Sequence, residues 1–168
     1  MVKIPKAGTI EDTDNLPPIV INAQYIKDLS FEAPAAPGIF QVIQQKAPDI
    51  SISVDVNSNI FENNVYEIIL VIAAHATINE ETVFLLELEY GGVFTLNCGP
   101  ESINPLAYIE CPRLLFPFAR AILSNTTREA GFPPLMLGTV DFVAMFQRGT
   151  ENRNVSSEDP GVTEKESN

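Results

Sequence analysis

The sequence predicts an α+β domain in which four antiparallel strands come first and two helices then pack on one face of the sheet. Apolar residues recur with period two between residues 22 and 96 and with helical spacing after residue 105. The connections between the strands are short. Turns of a few residues join antiparallel neighbours, whereas parallel strands need crossovers of about a dozen residues or more.

Four segments have the pattern of strands: residues 22–31, 50–57, 65–78 and 82–96. The second alternates strictly between apolar and polar residues, which is typical of a strand with one buried face. The third is apolar on both faces and is therefore expected to lie in the middle of the sheet. Gly91-Gly92 in the fourth strand is expected to mark a bulge or a sharp twist.

A helix is predicted to begin near residues 105–113 and to end at Ala130-Gly131, where glycine is a common terminator. Pro117 lies inside it and is expected to kink or interrupt it. An extended connector, F-P-P-L-M-L-G, follows, and a second helix is predicted over residues 140–148. The connector is expected to pack over the sheet edge beside an apolar trough, and either core-sealing or ligand binding would explain its composition.

The first helix is too apolar to be covered by one small sheet. Between residues 113 and 123 only two side chains are charged, and apolar residues occupy two stripes. One stripe consists of Leu114, Phe118, Ala121 and Ile122, and the other of Leu115, Phe116, Ala119 and Leu123. A second subunit is therefore expected to cover the side that the chain's own sheet leaves open.

The length predicts a single domain, which we place at residues 22–148. Residues 1–21 are expected to form a flexible leader, because prolines, Gly8 and aspartates leave little periodicity there. Residues 149–168 are expected to form a disordered acidic tail, because Val155 and Val162 are their only sizeable apolar side chains. The chain has 10 basic and 22 acidic side chains, which give a formal net charge of −12. This acidity disfavours binding to nucleic acids and to anionic membrane surfaces. We also expect no signal peptide and no membrane span, because no apolar segment is long enough.

Catalytic and metal-binding motifs are not recognisable in this sequence. Cys98 and Cys111 have no ligand spacing and sit among apolar residues, which favours free thiols in a reducing compartment over a disulfide. His75 is flanked by alanines and favours a structural role. The prediction is that the protein is not an enzyme and needs no cofactor or metal; an enzyme that uses Cys111 or His75 remains as an alternative.

The fourth strand has two faces of opposite chemistry. Parity places Phe84, Leu86, Leu88 and Tyr90 on one face and Leu85, Glu87 and Glu89 on the other. The acidic face is either an ordinary solvated surface or a recognition surface for a basic partner. Asp28 and Glu32 of the first strand share parity, and could join the acidic face across the sheet.

Four segments, in this order and at the expected spacing, resemble SecB, the bacterial protein-export chaperone family. They are I-K-D-L-S-F-E-A-P (26–34), E-E-T-V-F-L-L-E-L-E-Y-G-G-V-F (80–94), C-P-R-L-L-F-P-F-A-R (111–120) with G-F-P-P-L-M-L (131–137), and V-D-F-V-A-M-F (140–146). The resemblance covers about residues 22–148. It implies a cytoplasmic homotetramer, a dimer of dimers whose helices lie between two eight-stranded sheets.

The resemblance also implies a function. SecB proteins hold unfolded precursors in apolar grooves, need no nucleotide or metal, and pass the precursors to the translocation ATPase SecA. By motif match, the basic, zinc-containing C-terminal tail of SecA would contact Asp28, Glu32, Leu85 and Glu87. A SecB-like chaperone dedicated to one client, such as an antitoxin, is the alternative within this class.

The remaining site predictions concern assembly and client binding. The positions that match residues influencing tetramer stability are Leu86, Leu88 and Tyr90, and the apolar helix adds Leu114, Leu115 and Ile122 to the predicted interface. Phe118 and Phe146 match aromatic groove positions, and the connector adds Phe132 and Met136. The family often has a tyrosine where Phe118 stands, so the match implies a hydrophobic role there rather than a hydrogen bond.

Overall fold

A computed structural model of the chain describes residues 16–156, and the side chains of residues 16–151. Most of the predicted leader and the end of the predicted tail, residues 1–15 and 157–168, lie outside the described residues. The elements, in order, are strand β1 (Ile19–Glu32), helix α1 (Ile39–Val42), strands β2 (Asp49–Glu62), β3 (Val65–Ile78) and β4 (Glu81–Leu96), helix α2 (Pro100–Pro105), a π-helical segment (Leu106–Glu110), and helices α3 (Cys111–Glu129) and α4 (Phe142–Ser156).

The four strands form one antiparallel sheet in the order β1-β4-β3-β2, which confirms the predicted fold class. β3 has the predicted bounds and lies in the middle, whereas β1 begins at Ile19, before the predicted start at residue 22. β3 and β4 are joined through Asn79 and Glu80, which have φ values of 50° and 68°. Two consecutive positive φ values are typical of the type I′ hairpin turn, whose twist matches that of the strands it joins.

The hydrophobic core lies between the helices and the face of the sheet that we call the inner face. The buried residues of β3 and β4 on this face include Ile68, Leu70, Ile72, Leu86, Leu88 and Phe94. The face turned away from the helices is called the outer face. Directly paired residues of antiparallel strands point to the same side, so the register assigns each strand residue to one of these faces.

Of the two features expected at Gly91-Gly92, a bulge or a sharp twist, the bulge does not occur. Pairing is continuous through both glycines on either side of β4, and the pairing of β1 with β4 slips elsewhere, between Ile21 and Ala23 and between Ile26 and Asp28. The glycines instead make room for side chains. A Cβ atom on Gly91 would lie 2.8 Å from Cζ of Tyr25 on the outer face, and one on Gly92 would lie 2.5 Å from Cε2 of Phe94.

Helix α3 runs without interruption through Pro117, so the predicted interruption does not occur. Proline leaves the carbonyl four residues earlier without its helical partner. That residue is Arg113, and both Arg113 and Pro117 are exposed, so water can satisfy the carbonyl. The helix ends as predicted: Gly131 has φ 88°, and the N–H of Phe132 donates to the Thr127 carbonyl at 3.0 Å, as in a Schellman motif.

Helix α4 extends to Ser156 instead of ending at Arg148, so the described part of the predicted disordered tail begins as helix. It packs against the π-helical segment, and its Phe142 meets Phe116 of α3 edge-on, with ring centroids 6.0 Å apart. Within residues 16–156, no helix combines the length and the hydropathy that crossing a membrane requires.

Candidate functional site

Helix α3 buries one apolar stripe and leaves the other open. Cys111, Leu115, Ala119 and Leu123 follow one another at intervals of four residues and are buried in the core. Thr127, one turn further along, is buried too. On the opposite side Leu114 is 40% exposed and Phe118 is 51% exposed. The chain's own sheet therefore covers only one of the two stripes recognised in the sequence, and residues 16–156 leave an apolar helix face uncovered.

The six residues predicted at the subunit interface divide into two groups. Leu86, Leu88 and Leu115 are fully buried in the core of the single chain, and Tyr90 is nearly so. These four side chains have little or no surface to offer another subunit, which corrects the prediction that they lie at the interface. Leu114 and Ile122 keep part of their surface, so the structure retains only these two as candidates for direct contact.

Two of the predicted groove residues, Phe118 on α3 and Met136 in the connector, are exposed. Met136 in the connector is 62% exposed, and its Sδ lies 3.4 Å from Oγ of Ser124. Met136 borders a shallow pocket of about 270 Å³ on the open side of α3, and Phe118 lies exposed on the same helix, stacked on Tyr90 at 6.3 Å between ring centroids. The pocket is lined by Pro117, Arg120, Ala121, Ser124, Asn125 and Met136.

Phe132 is not a groove residue. It is buried, and its ring contacts the rings of Phe31, Phe40 and Phe84, with centroids 5.0 to 5.9 Å apart. The cluster joins β1, α1, β4 and the connector. Phe132 thus seals the core, which is one of the two roles that the connector's composition left open.

Phe146 lies in a different and deeper pocket of about 370 Å³ between β2 and the helices. The ring of Phe146 stacks on Tyr108 with centroids 6.1 Å apart, and Met145 also lines the pocket. Sequence reasoning missed Tyr108 and Met145. The sequence shows that Tyr108 and Phe146 are aromatic residues of two different helical segments. It does not indicate that these two segments are in contact.

Edge strand β2 adds apolar surface on the inner face. Ile50 and Ile52 lie on this face and are both exposed, because α3 packs over β3, β4 and β1 and not over β2. The alternating pattern of β2 correctly predicted one apolar face, but the structure leaves much of that face uncovered. The chain therefore has exposed apolar surface at the β2 edge as well as on α3.

The outer face brings together the four residues predicted to bind SecA. Glu32 pairs directly with Leu85, Ser30 pairs with Glu87, and Asp28 pairs with Glu89. Asp28, Glu32, Leu85 and Glu87 are all exposed. Glu89 belongs to the same surface, as the parity of β4 indicated. Like charges directly opposite each other, as at Asp28 and Glu89, are unfavourable by themselves and favour a basic ligand.

A hydrogen-bonded cluster lies next to these acidic residues on the outer face. Glu67 accepts hydrogen bonds from the Tyr25 hydroxyl, from Nζ of Lys27 at 2.8 Å and from Nδ2 of Asn59 at 3.1 Å. The hydrogen bonds from Lys27 and Tyr25 lower the pKa of Glu67 to about 2. Burial, together with the neighbouring Glu67, raises the pKa of Tyr25 to about 12.

The residues considered for catalysis lie on opposite sides of the sheet. Cys111 is fully buried in the core, where burial raises the pKa of its thiol to about 12, so the reactive thiolate is strongly disfavoured. His75 is exposed on the outer face, where its Nε2 lies 3.2 Å from Oγ1 of Thr82. Both cysteines are free, and among residues 16–156 no group of three or more His, Cys, Asp or Glu side chains could hold a metal ion.

Comparison with known proteins gives a consistent result. The family model described as preprotein translocase subunit SecB matches residues 12–153. The protein-export protein SecB of Paramagnetospirillum magneticum is 48% identical over 142 residues, 84% of this chain and 92% of that protein. The protein-export protein SecB of Granulibacter bethesdensis is 51% identical over 140 residues, 78% of this chain and 81% of that protein.

A solved structure has a similar fold at low sequence identity. It is the SecB-like chaperone of Mycobacterium tuberculosis in complex with a ChAD peptide from an antitoxin. The TM-score is 0.60 and the identity 13%, over 73% of this chain and 91% of that one.

Proposed function

Because this chain belongs to the SecB family of protein-export chaperones, we propose that it is a cytoplasmic holdase that keeps secretory precursors unfolded and delivers them to SecA. The observation that carries the proposal is the division of the surface between two chemistries. Exposed apolar residues lie on α3, on the connector and on the inner faces of the two edge strands β1 and β2, whereas the outer face of the sheet is acidic. One side suits apolar clients and the other a basic partner.

Client binding requires apolar surface that does not select one sequence. The burial of apolar area is favourable by about 25 cal/mol per Å² and has no directional requirement. Met136 and Phe118 beside α3 offer such surface, as do Phe146 and Tyr108 in the second pocket. A long unfolded client that occupies several such sites at once gains affinity through effective concentration rather than through specific contacts.

The proposed assembly is a homotetramer, a dimer of dimers. The open stripe of α3 supports it, because Leu114 and Ile122 keep apolar surface that a second copy can bury. Within the part of the chain that the structure describes, the two edge strands, β1 and β2, also leave one side of their backbone without a strand partner. Pairing of one such edge with its copy would convert two four-stranded sheets into one of eight strands.

Handover is proposed to take place on the outer face, where the basic tail of SecA would contact Asp28, Glu32, Leu85 and Glu87. The substitution Glu87→Lys reverses a charge next to Leu85 and should weaken binding of a zinc-loaded SecA tail peptide at least tenfold. Glu101→Lys makes the same charge change on exposed α2, away from the outer face, and should leave the affinity nearly unchanged. Equal affinities for wild type and Glu87→Lys would contradict the assignment.

A refolding assay tests the holdase activity itself. A stoichiometric amount of the protein should slow the refolding of a denatured secretory precursor, because binding of the unfolded state draws it away from folding. Met136→Ser should reduce this delay by removing exposed apolar surface, whereas Leu85→Ser, on the acidic face, should leave it intact. An unchanged refolding rate in the presence of the wild-type protein would contradict the proposal.

The alternatives receive less support. The relatives that cover most of this chain are protein-export proteins, whereas the likeness to the chaperone solved with an antitoxin peptide shows the fold alone. An enzyme that uses Cys111 would need a thiol that substrates can reach, and Cys111 is fully buried. Loss of a hydrolytic or transferase activity in Cys111→Ala would nonetheless establish that function.

A further inference from the structure

The sheet contains a single basic side chain beside its acidic surface. Lys27 is the only lysine or arginine in the four strands, which carry nine acidic residues. It lies where the pairing of β1 with β4 slips, directly before Asp28. Asp28 faces Glu89, with Glu87 further along β4, and we call these three residues the acidic strip. A lysine at this position is well placed to neutralise the strip.

The structure shows Lys27 engaged elsewhere. Its Nζ lies 2.8 Å from Oε1 of Glu67, which belongs to β3 and is therefore separated from β1 by the whole width of β4. Glu89 is on β4, the strand next to β1. It is therefore one strand away from Lys27, whereas Glu67, the residue that Lys27 binds, is two strands away. The ion pair draws the ammonium group away from the acidic strip.

Other contacts hold Glu67 in place for this ion pair. The Tyr25 hydroxyl crosses β4 above Gly91 to donate to Glu67, and a side chain at Gly91 would collide with the tyrosine ring. Asn59 donates to the other carboxylate oxygen from β2. The carboxylate of Glu67 on β3 thus accepts hydrogen bonds from side chains of both β1 and β2. The Glu67 side chain is only 15% exposed.

We propose that Glu67 is a positioning residue for partner recognition: by binding Lys27 across β4, it keeps the acidic strip free to receive a basic peptide. The inference rests on the proposed role of the outer face in binding the SecA tail. If Glu67 were neutral, the Lys27 ammonium would turn to Asp28 or Glu89, occupy the strip and repel the cationic partner.

A double-mutant cycle tests this inference. The dissociation constant of the zinc-loaded SecA tail peptide is measured for wild type, Lys27→Gln, Glu67→Gln and the double variant, with thermal unfolding as the check on folding. Glu67→Gln should weaken binding about two- to fivefold, the range expected of a partly exposed charge pair. Lys27→Gln should then strengthen binding more in the Glu67→Gln background than in wild type, because only there does Lys27 occupy the strip.

A charge-matched control separates position from net charge. Glu101→Gln removes one negative charge from exposed α2, away from the outer face, and should weaken binding less than Glu67→Gln does. Equal effects of Lys27→Gln in both backgrounds would overturn the inference while leaving the SecA surface in place. If the wild-type protein does not bind the peptide at all, both the inference and the proposed surface are overturned.

Discussion

Thr127 shows how a single hydroxyl joins the helix to the connector. Tyrosines aside, it is the only buried polar side chain among the described residues, and its hydroxyl both donates and accepts a hydrogen bond. Its Oγ1 lies 3.0 Å from the carbonyl of Leu123, to which it donates, and accepts the N–H of Leu135 at 2.9 Å. This contact holds the connector, and with it Met136, against α3.

Replacement of Thr127 by valine keeps the shape of the side chain and removes the hydroxyl. The N–H of Leu135 would then be buried without a partner, so we expect the free energy of unfolding to fall by about 1–3 kcal/mol. Thr127→Ser keeps the hydroxyl and is the matched control. Urea denaturation measures stability, and hydrogen exchange at Leu135 should lose protection only in the valine variant; protection retained in both would contradict this role.

Glu67 gives the stability a defined dependence on pH. Its pKa falls from an ordinary value of 4.5 to about 2 in the folded chain, so the folded state favours the ionised form. The stabilisation is therefore complete above about pH 4.5 and is lost as the pH falls towards 2. Glu67→Gln should cost about 1 kcal/mol at pH 7, as expected of partly exposed charged hydrogen bonds.

Urea denaturation of wild type and Glu67→Gln at several pH values checks this expectation. The difference between the two proteins should shrink steadily below pH 4.5, because the carboxyl then gains a proton in the unfolded state while it stays ionised in the folded state down to about pH 2. A difference that stays constant down to pH 3 would show that the ionised carboxylate is not what stabilises the cluster.

At the scale of the element, α3 has two apolar stripes, of which the fold uses one. Leu115, Ala119 and Leu123 pack on the sheet, whereas Leu114 and Phe118 face outward. A helix with apolar residues on both sides needs a second apolar partner. This requirement supports a proposed interface at Leu114. Leu86 and Leu88 are fully buried, and the proposed interface does not need them.

Leu114→Glu tests the proposed interface. A carboxylate buried between two copies of α3 would be strongly unfavourable, and in a two-fold interface it would occur twice, so we expect the association constant to fall at least tenfold. Leu85→Glu is the matched control, because Leu85 is 37% exposed against 40% for Leu114 but lies on the outer face. Sedimentation equilibrium measures the mass; an equal effect of both variants would contradict the placement.

At the scale of the whole molecule, the sheet separates two kinds of binding. The outer face is acidic in a chain whose net charge is −12, and the helix side carries the open apolar surface. Electrostatic attraction and apolar burial respond differently to salt, since screening weakens the first and leaves the second intact. The two proposed activities should therefore separate in solution.

We expect salt to distinguish the two surfaces. Between about 10 mM and 1 M salt the Debye length falls from about 30 Å to about 3 Å, so affinity for the basic SecA tail peptide should fall at least tenfold. Affinity for an uncharged apolar client peptide should stay the same or rise. Fluorescence anisotropy measures both, and a parallel loss of the two affinities would indicate that one surface binds both ligands.

Periodicity by itself determined the strands, the change to helix, the central position of β3 and the two faces of β4. These features depend on neighbours two to four residues apart, and such neighbours can be read in any window of the sequence. The end of α3 at Gly131 followed from one residue's tolerance of positive φ. Resemblance, rather than pattern, pointed to the SecB family.

Only the tertiary structure decided which α3 stripe is buried, that Phe132 closes a ring cluster, and that Gly91 makes room for Tyr25 on its way to Glu67. The two stripes of α3 are similarly apolar, so local hydropathy cannot choose between them. The choice depends on how well each fits a sheet formed by residues far away in the sequence, such as Gly92, whose missing side chain makes room for Leu115. Packing of this kind is set by contacts between distant segments, which no local pattern contains.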